Sequence, residues 1–431
     1  MARLRQRNLP LLPPTASSVS LLHCQSASPP KNRGFFIGLL ETAEVPQLFD
    51  AILADEAQDF GEYYMRLCYA MLRQPKRVIW AYDEIQSLED LEIPTAEKLF
   101  GHDADGKPLV DLDGVYPGEI EKDMILYHCY RNPRPVLIAA HAFGLGLKRR
   151  GGAVQFIDTV GGWKDIGYEV KEMEEGALQT GQAATLYRPE SNSPHLLEKL
   201  AGYHNLVEWH LFDDRQQELD WIIGDVARNI LEEELMPDEI AVIALDSRRR
   251  IADAEYQILH DGLAQKGITS IRVGTDVSID AFRVRGAVTI TSVFRAKGNE
   301  ASVIYVYGFE EIGNVREGYE IVTKRNLAFT AMTRTKGWLV LTGVGKVAGD
   351  LFEEIEAVLE NIGSVSFVVP DMAKIQRNLE TYENQRRRVR IRQAERSISK
   401  TIKDLADVNP EDLSPELKKQ LYRLLFGDKL E

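Results

Sequence analysis

Short apolar runs that stop at an acidic residue recur near the start of the chain. The segments "QLFDAILADEAQDF" (47–60) and "KRVIWAYDEIQSL" (76–88) both end in this way. Between them, "YYMRLCYAMLR" (63–73) has the spacing of an amphipathic helix. A strand, a helix and a second strand at this interval predict a parallel α/β unit. In such a unit we expect the functional side chains to gather at the carboxyl ends of the strands.

A second, longer series of apolar runs predicts another α/β sheet within 126–348. Helical spacing precedes its first and last strands, at 219–235 and 326–335. A small insert near 150–218 interrupts this region, and part of it is polar and punctuated by glycine. The five predicted strands are "EIAVIAL" (239–245), "SIRV" (270–273), "AVTITSVF" (287–294), "SVIYVYG" (302–308) and "GWLVLTG" (337–343).

The two ends of the chain differ from these α/β segments. Residues 1–34 are rich in Pro and Ser and have no period, which predicts a disordered leader ahead of a first α/β domain at 35–125. Prolines interrupt the apolar patch of the leader, so it does not have the pattern of a targeting peptide. Residues 349–431 predict a charged helical tail. Its basic run at 385–396 is interpreted as a solvated helix face, with nucleic-acid contact as the alternative.

Composition narrows the classes of function. The 431 residues carry a net charge of −14, which argues against a basic coat for nucleic acid but leaves room for a local basic groove. The three cysteines have no CxxC pairing, so a zinc site or a disulfide framework is not expected and a reducing cytoplasm fits. No run of 18 apolar residues occurs, so we expect no membrane partner.

The acid pair Asp55-Glu56 ends the first predicted strand. A carboxylate in this position can hold Mg²⁺, and its neighbour can orient an attacking water. With the residues that follow, the pair reads DEAQDF (55–60), which resembles motif II (Walker B) of superfamily 1 helicases of the UvrD/Rep type. "YDEIQS" (82–87) resembles motif III, with Tyr82 in place of the usual glycine. The resemblance implies that Asp55 binds Mg²⁺, Glu56 orients water and Gln86 senses the γ-phosphate.

Three further motifs of that family follow in the same order. "YHCYRNPRPVLIAAHAF" (127–143) resembles motif IV, with Asn132 where serine is usual. "TITSVFRAKGNEASVIYV" (289–306) resembles motif V, with Phe294 where histidine is usual, and "KRNLAFTAMTRTKGWLVLTG" (324–343) resembles motif VI. The resemblance implies that Arg131 and Arg334 contribute positive charge at the γ-phosphate. It also implies a nucleotide contact at Lys297, Gly298 and Glu300, with Glu300 at the ribose.

The resemblance covers roughly 45–345 and implies two RecA-like parallel-sheet domains, the first of them incomplete. The family begins with a P-loop, GxxxxGK[ST], whose backbone N–H groups cradle phosphates. No such sequence occurs in residues 1–54. "GHDADGKP" (101–108) fits part of the pattern, but Pro108 has no hydroxyl for Mg²⁺ and two aspartates repel phosphate. We therefore interpret it as an acidic surface turn.

Three hypotheses for function remain open at this point. The first is a truncated ATP-dependent DNA helicase or translocase that couples ATP hydrolysis to movement on single-stranded DNA when the motor is complete. The second is a catalytically dead partner subunit or pseudo-enzyme that binds nucleic acid or protein without turnover; a separate subunit that supplies the missing P-loop is among the partners considered. The third is a nucleotide-binding regulatory module without a nucleic-acid role. Trp163 and Tyr168 of the insert either stack on bases or pack a small core, and the core is the favoured interpretation.

Overall fold

The computed structural model describes residues 45–57, 60–83, 96–112, 115–245, 249–278, 281–313, 315, 319–375 and 377–378. The predicted leader (1–34) and most of the predicted tail lie outside these ranges.

The helices in the described residues, α1 to α10, are Glu62–Ala70, Ala96–Phe100, Arg134–Leu145, Val160–Asp165, Leu196–Ala201, Arg215–Leu231, Arg249–Gln265, Val293–Ala296, Tyr319–Met332 and Gly345–Leu359. None of these helices combines the length and apolarity that crossing a bilayer requires. The strands, β1 to β15, are Ile52–Ala54, Val78–Trp80, Val115–Tyr116, Ile120–Glu121, Gln155–Phe156, Glu169–Val170, Ala183–Tyr187, Val207–Phe212, Ile240–Ala244, Thr269–Arg272, Ala287–Ser292, Ala301–Tyr307, Thr335–Val344, Ser364–Val368 and Arg377–Asn378.

The main sheet has six strands in the order β10-β11-β9-β12-β13-β8, and every neighbouring pair runs parallel. All five strands predicted for the second series are in it, and β8 adds one edge. The α/β prediction is therefore confirmed. Parallel strands of this kind are buried on both faces, which explains why β9 reads as an uninterrupted apolar run.

Alternate residues of β9 pack on opposite faces of this sheet. Ala241 and Ile243 contact the core beneath α3, α9 and α10, whereas Ile240 and Val242 contact the core beneath α6 and α7. The sheet thus lies between two helical layers, as the twofold period of a strand requires.

The first α/β unit is small. Strand β1 pairs in parallel with β2, and Leu53 lies opposite Ile79. Helix α1 covers one face of the pair through Cys68, and Leu72 beyond the helix packs there too. On the other face Leu53 is 61% exposed and Ile79 is 65% exposed. One face of this short sheet therefore presents apolar side chains to solvent.

Strands β6 and β7 of the insert form a three-stranded antiparallel sheet with β14, in the order β14-β7-β6. Trp163 is fully buried and Tyr168 is 2% exposed, so they pack a core and the base-stacking alternative is wrong. The structure also differs from the prediction of a helical tail from residue 349. Helix α10 already begins at Gly345, and β14 is a strand because Val365 and Phe367 alternate into the main core. The predicted domain boundaries themselves stay predictions.

Candidate functional site

Strand β1 places two carboxylates directly after its last residue. Asp55 is exposed, and its Oδ1 accepts a hydrogen bond of 2.9 Å from the backbone N–H of Glu56. Glu56 has φ = 53°, a left-handed conformation that is uncommon for a residue with a side chain. The next residue, Ala57, donates its N–H to the carbonyl of Ala81, 2.8 Å away, just beyond β2. The turn after β1 is thus fixed to the end of β2, where Asp83 also lies.

The main-sheet unit, which is the part of the chain that forms the six-stranded sheet, places a lysine beside this turn. Lys297 follows α8, its side chain is only 5% exposed, and its Nζ lies 3.7 Å from Oε2 of Glu56. Gly298 comes next with φ = 78°, which suits glycine because it has no Cβ. Glu300 lies directly before β12, and its carboxylate is 3.9 Å from Nζ of Lys336. The residues that resemble motif II and motif V are therefore brought together.

Two arginines complete the cluster. Arg334 lies in the short connection between α9 and β13 and is 1% exposed, and its Nε donates to the carbonyl of Thr330 at 2.9 Å. Burial and the neighbouring Arg131 lower the pKa of Arg334 to about 10, against the opposite effect of Glu56, Asp83 and Glu300. Nε of Arg131 is buried and has no hydrogen-bond partner among the described residues. Two cationic side chains thus share a space that is largely shielded from water.

The candidate site residues lie at different edges of the two sheets, the β1–β2 sheet and the main sheet. Asp55 follows β1 and is at the carboxyl end, as predicted. Glu300 and Arg334 instead come directly before β12 and β13, so they lie at the amino edge of the main sheet. The reason is local, since only Thr333 and Arg334 connect α9 to β13. The candidate residues Glu300 and Arg334 therefore lie at the opposite strand ends from Asp55.

Gln86 lies outside the described residues, so its role stays a prediction. The segment 101–108, which matches part of the P-loop pattern, is described by the structure. It forms a turn that is stabilised by hydrogen bonds within the segment. Oδ1 of Asp103 accepts the backbone N–H of Asp105 at 3.0 Å and of Lys107 at 2.8 Å. These N–H groups already have an acceptor within the turn, which supports the interpretation as an acidic surface turn.

One site residue that the sequence did not single out for a role is Asn132. It is 1% exposed, and its Nδ2 donates to the carbonyls of Thr333 and Thr335, which flank Arg334. Only one indication of a role for Asn132 was present in the sequence: asparagine stands at this position, where the resembled family usually has serine. Lys336, which faces Glu300, was also missed, and nothing in its sequence context marks it.

Comparisons with known proteins fit part of this site. The sequence-family model of the UvrD-like helicase C-terminal domain matches residues 287–342. Residues 287–342 are thus UvrD-like. This UvrD-like segment runs from β11 into β13 and contains Lys297, Gly298, Glu300 and Arg334. Asp55, Glu56 and Arg131 lie outside it.

The other two comparisons add little to that match. One solved structure, the C-terminal domain of a possible DNA helicase from Lactobacillus plantarum WCFS1, is similar at 21% sequence identity. The similarity covers 36% of this chain and 83% of that chain, with a TM-score of 0.27, too low to support an argument about the fold. No curated protein matches the chain.

Proposed function

We propose that this UvrD-like, helicase-related protein binds the triphosphate of ATP at the cluster of Glu56, Lys297, Arg131 and Arg334. The observation that carries the proposal is the pair of arginines. Burial and the neighbouring Arg131 lower the pKa of Arg334, and the carboxylates of Glu56, Asp83 and Glu300 offset this only in part, so the charged form gains from further compensation. An anion bound between Arg131 and Arg334 supplies that compensation, and it gives the buried Nε of Arg131 an acceptor.

The carboxylates give the site its second half. Asp55 is exposed beside the cluster, and carboxylate oxygen is the donor that Mg²⁺ prefers, so the residues present fit a magnesium ion held by Asp55. Bound there, the ion neutralises phosphate charge. Glu56 is held by Lys297 and by the turn after β1, and its role is to orient the attacking water. Arg131 and Arg334 stabilise charge at the γ-phosphate, Gln86 senses that phosphate, and Glu300 contacts the ribose.

The proposed cycle links this site to nucleic acid. The UvrD-like segment at 287–342 supports a single-stranded DNA partner. Because the cluster combines groups from the β1–β2 unit and from the main-sheet unit, nucleotide binding draws the two units together. ATP hydrolysis then lets them separate and step along the strand when the motor is complete. The 431 residues contain no GxxxxGK[ST] sequence. We therefore propose that this chain alone hydrolyses ATP only at the background rate.

A second candidate is a partner subunit whose β1–β2 unit is completed by another polypeptide that carries a P-loop. The observation that favours it is the exposed face formed by Leu53 and Ile79, which lie opposite each other in the register of β1 and β2. Adjacent exposed apolar side chains on a sheet are typical of a surface that another element covers.

Binding of Mg·ATP tests the nucleotide proposal directly. A ligand that binds only the folded protein raises its unfolding midpoint, and we expect this for ATP and for inorganic triphosphate but not for adenosine. Arg131→Met and Arg334→Met should each abolish the shift. Arg150→Met is the matched control, because the Arg150 side chain is 74% exposed and pairs with Asp350 and Glu353 far along the chain. A triphosphate-dependent shift that survives in both site variants would refute the proposal.

A further inference from the structure

The side chain of Asn132 bridges the backbone on both sides of Arg334. Its Nδ2 donates to the carbonyl of Thr333 at 3.0 Å and to the carbonyl of Thr335 at 2.7 Å. Because both partners are carbonyl acceptors, the NH₂ group must face them, and both of its hydrogens are used. Serine, with a single hydroxyl hydrogen, can donate to only one of the two carbonyls.

The loop that carries Arg131 is anchored at its other end as well. Arg188, which is 1% exposed, donates from Nη2 to the carbonyl of Tyr127 at 3.2 Å and to the carbonyl of Asn192 at 2.9 Å. The N–H of Cys129 donates to the same Asn192 carbonyl at 2.9 Å. Residues 127–132 are thus held at their start by the insert and at their end by the connection between α9 and β13.

The two arginines need such a restraint. Like charges in a shielded site repel each other, and the effect of Arg131 on the pKa of Arg334 shows that they are close enough to do so. Nε of Arg131 makes no hydrogen bond to the described residues that would hold the side chain in place. The hydrogen bonds of Asn132 hold the backbone directly beside Arg131 against the connection that carries Arg334.

We infer that Asn132 is a positioning residue, whose amide holds Arg131 and Arg334 side by side so that both face one anionic group. The identity of that anion, the γ-phosphate, rests on the proposed function. The positioning itself does not, because it is a statement about the unliganded protein.

The modification of arginine by phenylglyoxal tests the positioning in the full chain without nucleotide. The rate at Arg334 is measured by peptide mass spectrometry relative to the exposed Arg150 in the same molecule. Asn132→Leu removes both hydrogen bonds, and we expect the relative rate at Arg334 to rise about 25-fold, at about fivefold for each net hydrogen bond. Asn132→Ser keeps one donor and should raise it about fivefold.

Gln155→Met is the matched control. Gln155 is a fully buried amide that donates to the carbonyl of Gly144 at 3.0 Å and to Oδ1 of Asn326 at 2.8 Å. This variant also loses two buried hydrogen bonds, but it should leave the relative rate at Arg334 unchanged. An equal rise in Gln155→Met would show that loosening of the whole fold exposes Arg334, and it would overturn the inference. An unchanged rate in both Asn132 variants would overturn it too.

The same assay separates this inference from the proposed function. Mg·ATP should protect Arg131 and Arg334 in the wild type if the cluster binds triphosphate. If ATP gives no protection while Asn132→Leu still exposes Arg334, the positioning role stands and the nucleotide proposal fails. If ATP protects and the Asn132 variants behave like the wild type, the nucleotide proposal stands and the positioning role fails.

Discussion

Replacing Arg334 with methionine should make the unliganded protein more stable. The guanidinium is 1% exposed, and burial together with Arg131 lowers its pKa to about 10 from the ordinary 12.5. Below about pH 10 the charged form is retained at an energetic cost, because the unfolded chain solvates the same charge fully. Methionine fills a similar volume without carrying a charge.

The size of the effect follows from these two pKa values. Their difference corresponds to about 3 kcal/mol of unfavourable free energy in the folded state. The substitution also removes hydrogen bonds, among them the one from Nε to the carbonyl of Thr330 at 2.9 Å and the long one from Nη2 to Oγ1 of Thr333 at 3.5 Å, which together cost about 1 kcal/mol. We therefore expect the free energy of unfolding to rise by about 2 kcal/mol, a stabilisation typical of the removal of a strained functional group.

Arg188→Met provides a control with the opposite sign. Arg188 is as deeply buried as Arg334, but its guanidinium donates to four oxygens: Oγ of Ser193 at 2.6 Å and the carbonyls of Ile166, Tyr127 and Asn192 at 2.6, 3.2 and 2.9 Å. Removing it leaves buried acceptors without a donor, so this variant should lose about 3 kcal/mol or more.

Urea unfolding in phosphate-free buffer, followed by tryptophan fluorescence, measures both variants. The pH dependence adds an independent check. The cost of the Arg334 charge is fully present below about pH 10 and is relieved as the pH rises towards 12.5. The advantage of Arg334→Met should therefore be smaller by about 1 kcal/mol at pH 11 than at pH 8. A variant less stable than the wild type at pH 8 would show that the protein itself already compensates the charge, and would refute the reasoning.

Three further predictions concern catalysis, nucleic acid and the exposed face. The chain alone should hydrolyse ATP at background rates, and DNA-stimulated turnover that disappears in Glu56→Gln would contradict this. Binding of single-stranded DNA should weaken steeply with salt in a fluorescence anisotropy titration, and an affinity independent of salt would count against phosphate contacts. Leu53→Lys with Ile79→Lys should reduce the binding of an apolar dye without lowering the free energy of unfolding by more than about 1 kcal/mol. If this double variant binds as much dye as the wild type, the exposed apolar surface lies elsewhere.

The strands were predictable because their cause is local. The run from Ile240 to Ala244 is apolar at every position, and only a strand buried on both faces needs that pattern. Strands β11, β12 and β13 are also mainly apolar and buried, and Glu300 and Arg334 directly precede the last two. Parallel pairing of β1 with β2 followed from the helix between them, and it places Asp55 and Asp83 at the same edge of the small sheet.

Strand β14 was not predictable because its cause is remote. Residues 364–368 follow a helix and precede a charged segment, so their local context favours the continuation of a helical tail. They form a strand because β7, 177 or more residues earlier, offers an edge to pair with. The two amide contacts of Asn132 are similar, since they reach residues 201 and 203 positions away. Neither contact produces a periodic signal in the sequence.

The electrostatics of the cluster explain why its parts come from different elements. A single turn that carried two arginines would hold them apart in water, where each is well solvated and their repulsion is small. In this protein the loop before α3 and the connection before β13 each bring one arginine, and Asn132 fixes the distance between the two segments. The repulsion is therefore already present in the folded protein before any ligand arrives. An anion that enters the cluster meets charges that need little reorganisation, which is the condition under which buried cations stabilise developing negative charge most strongly.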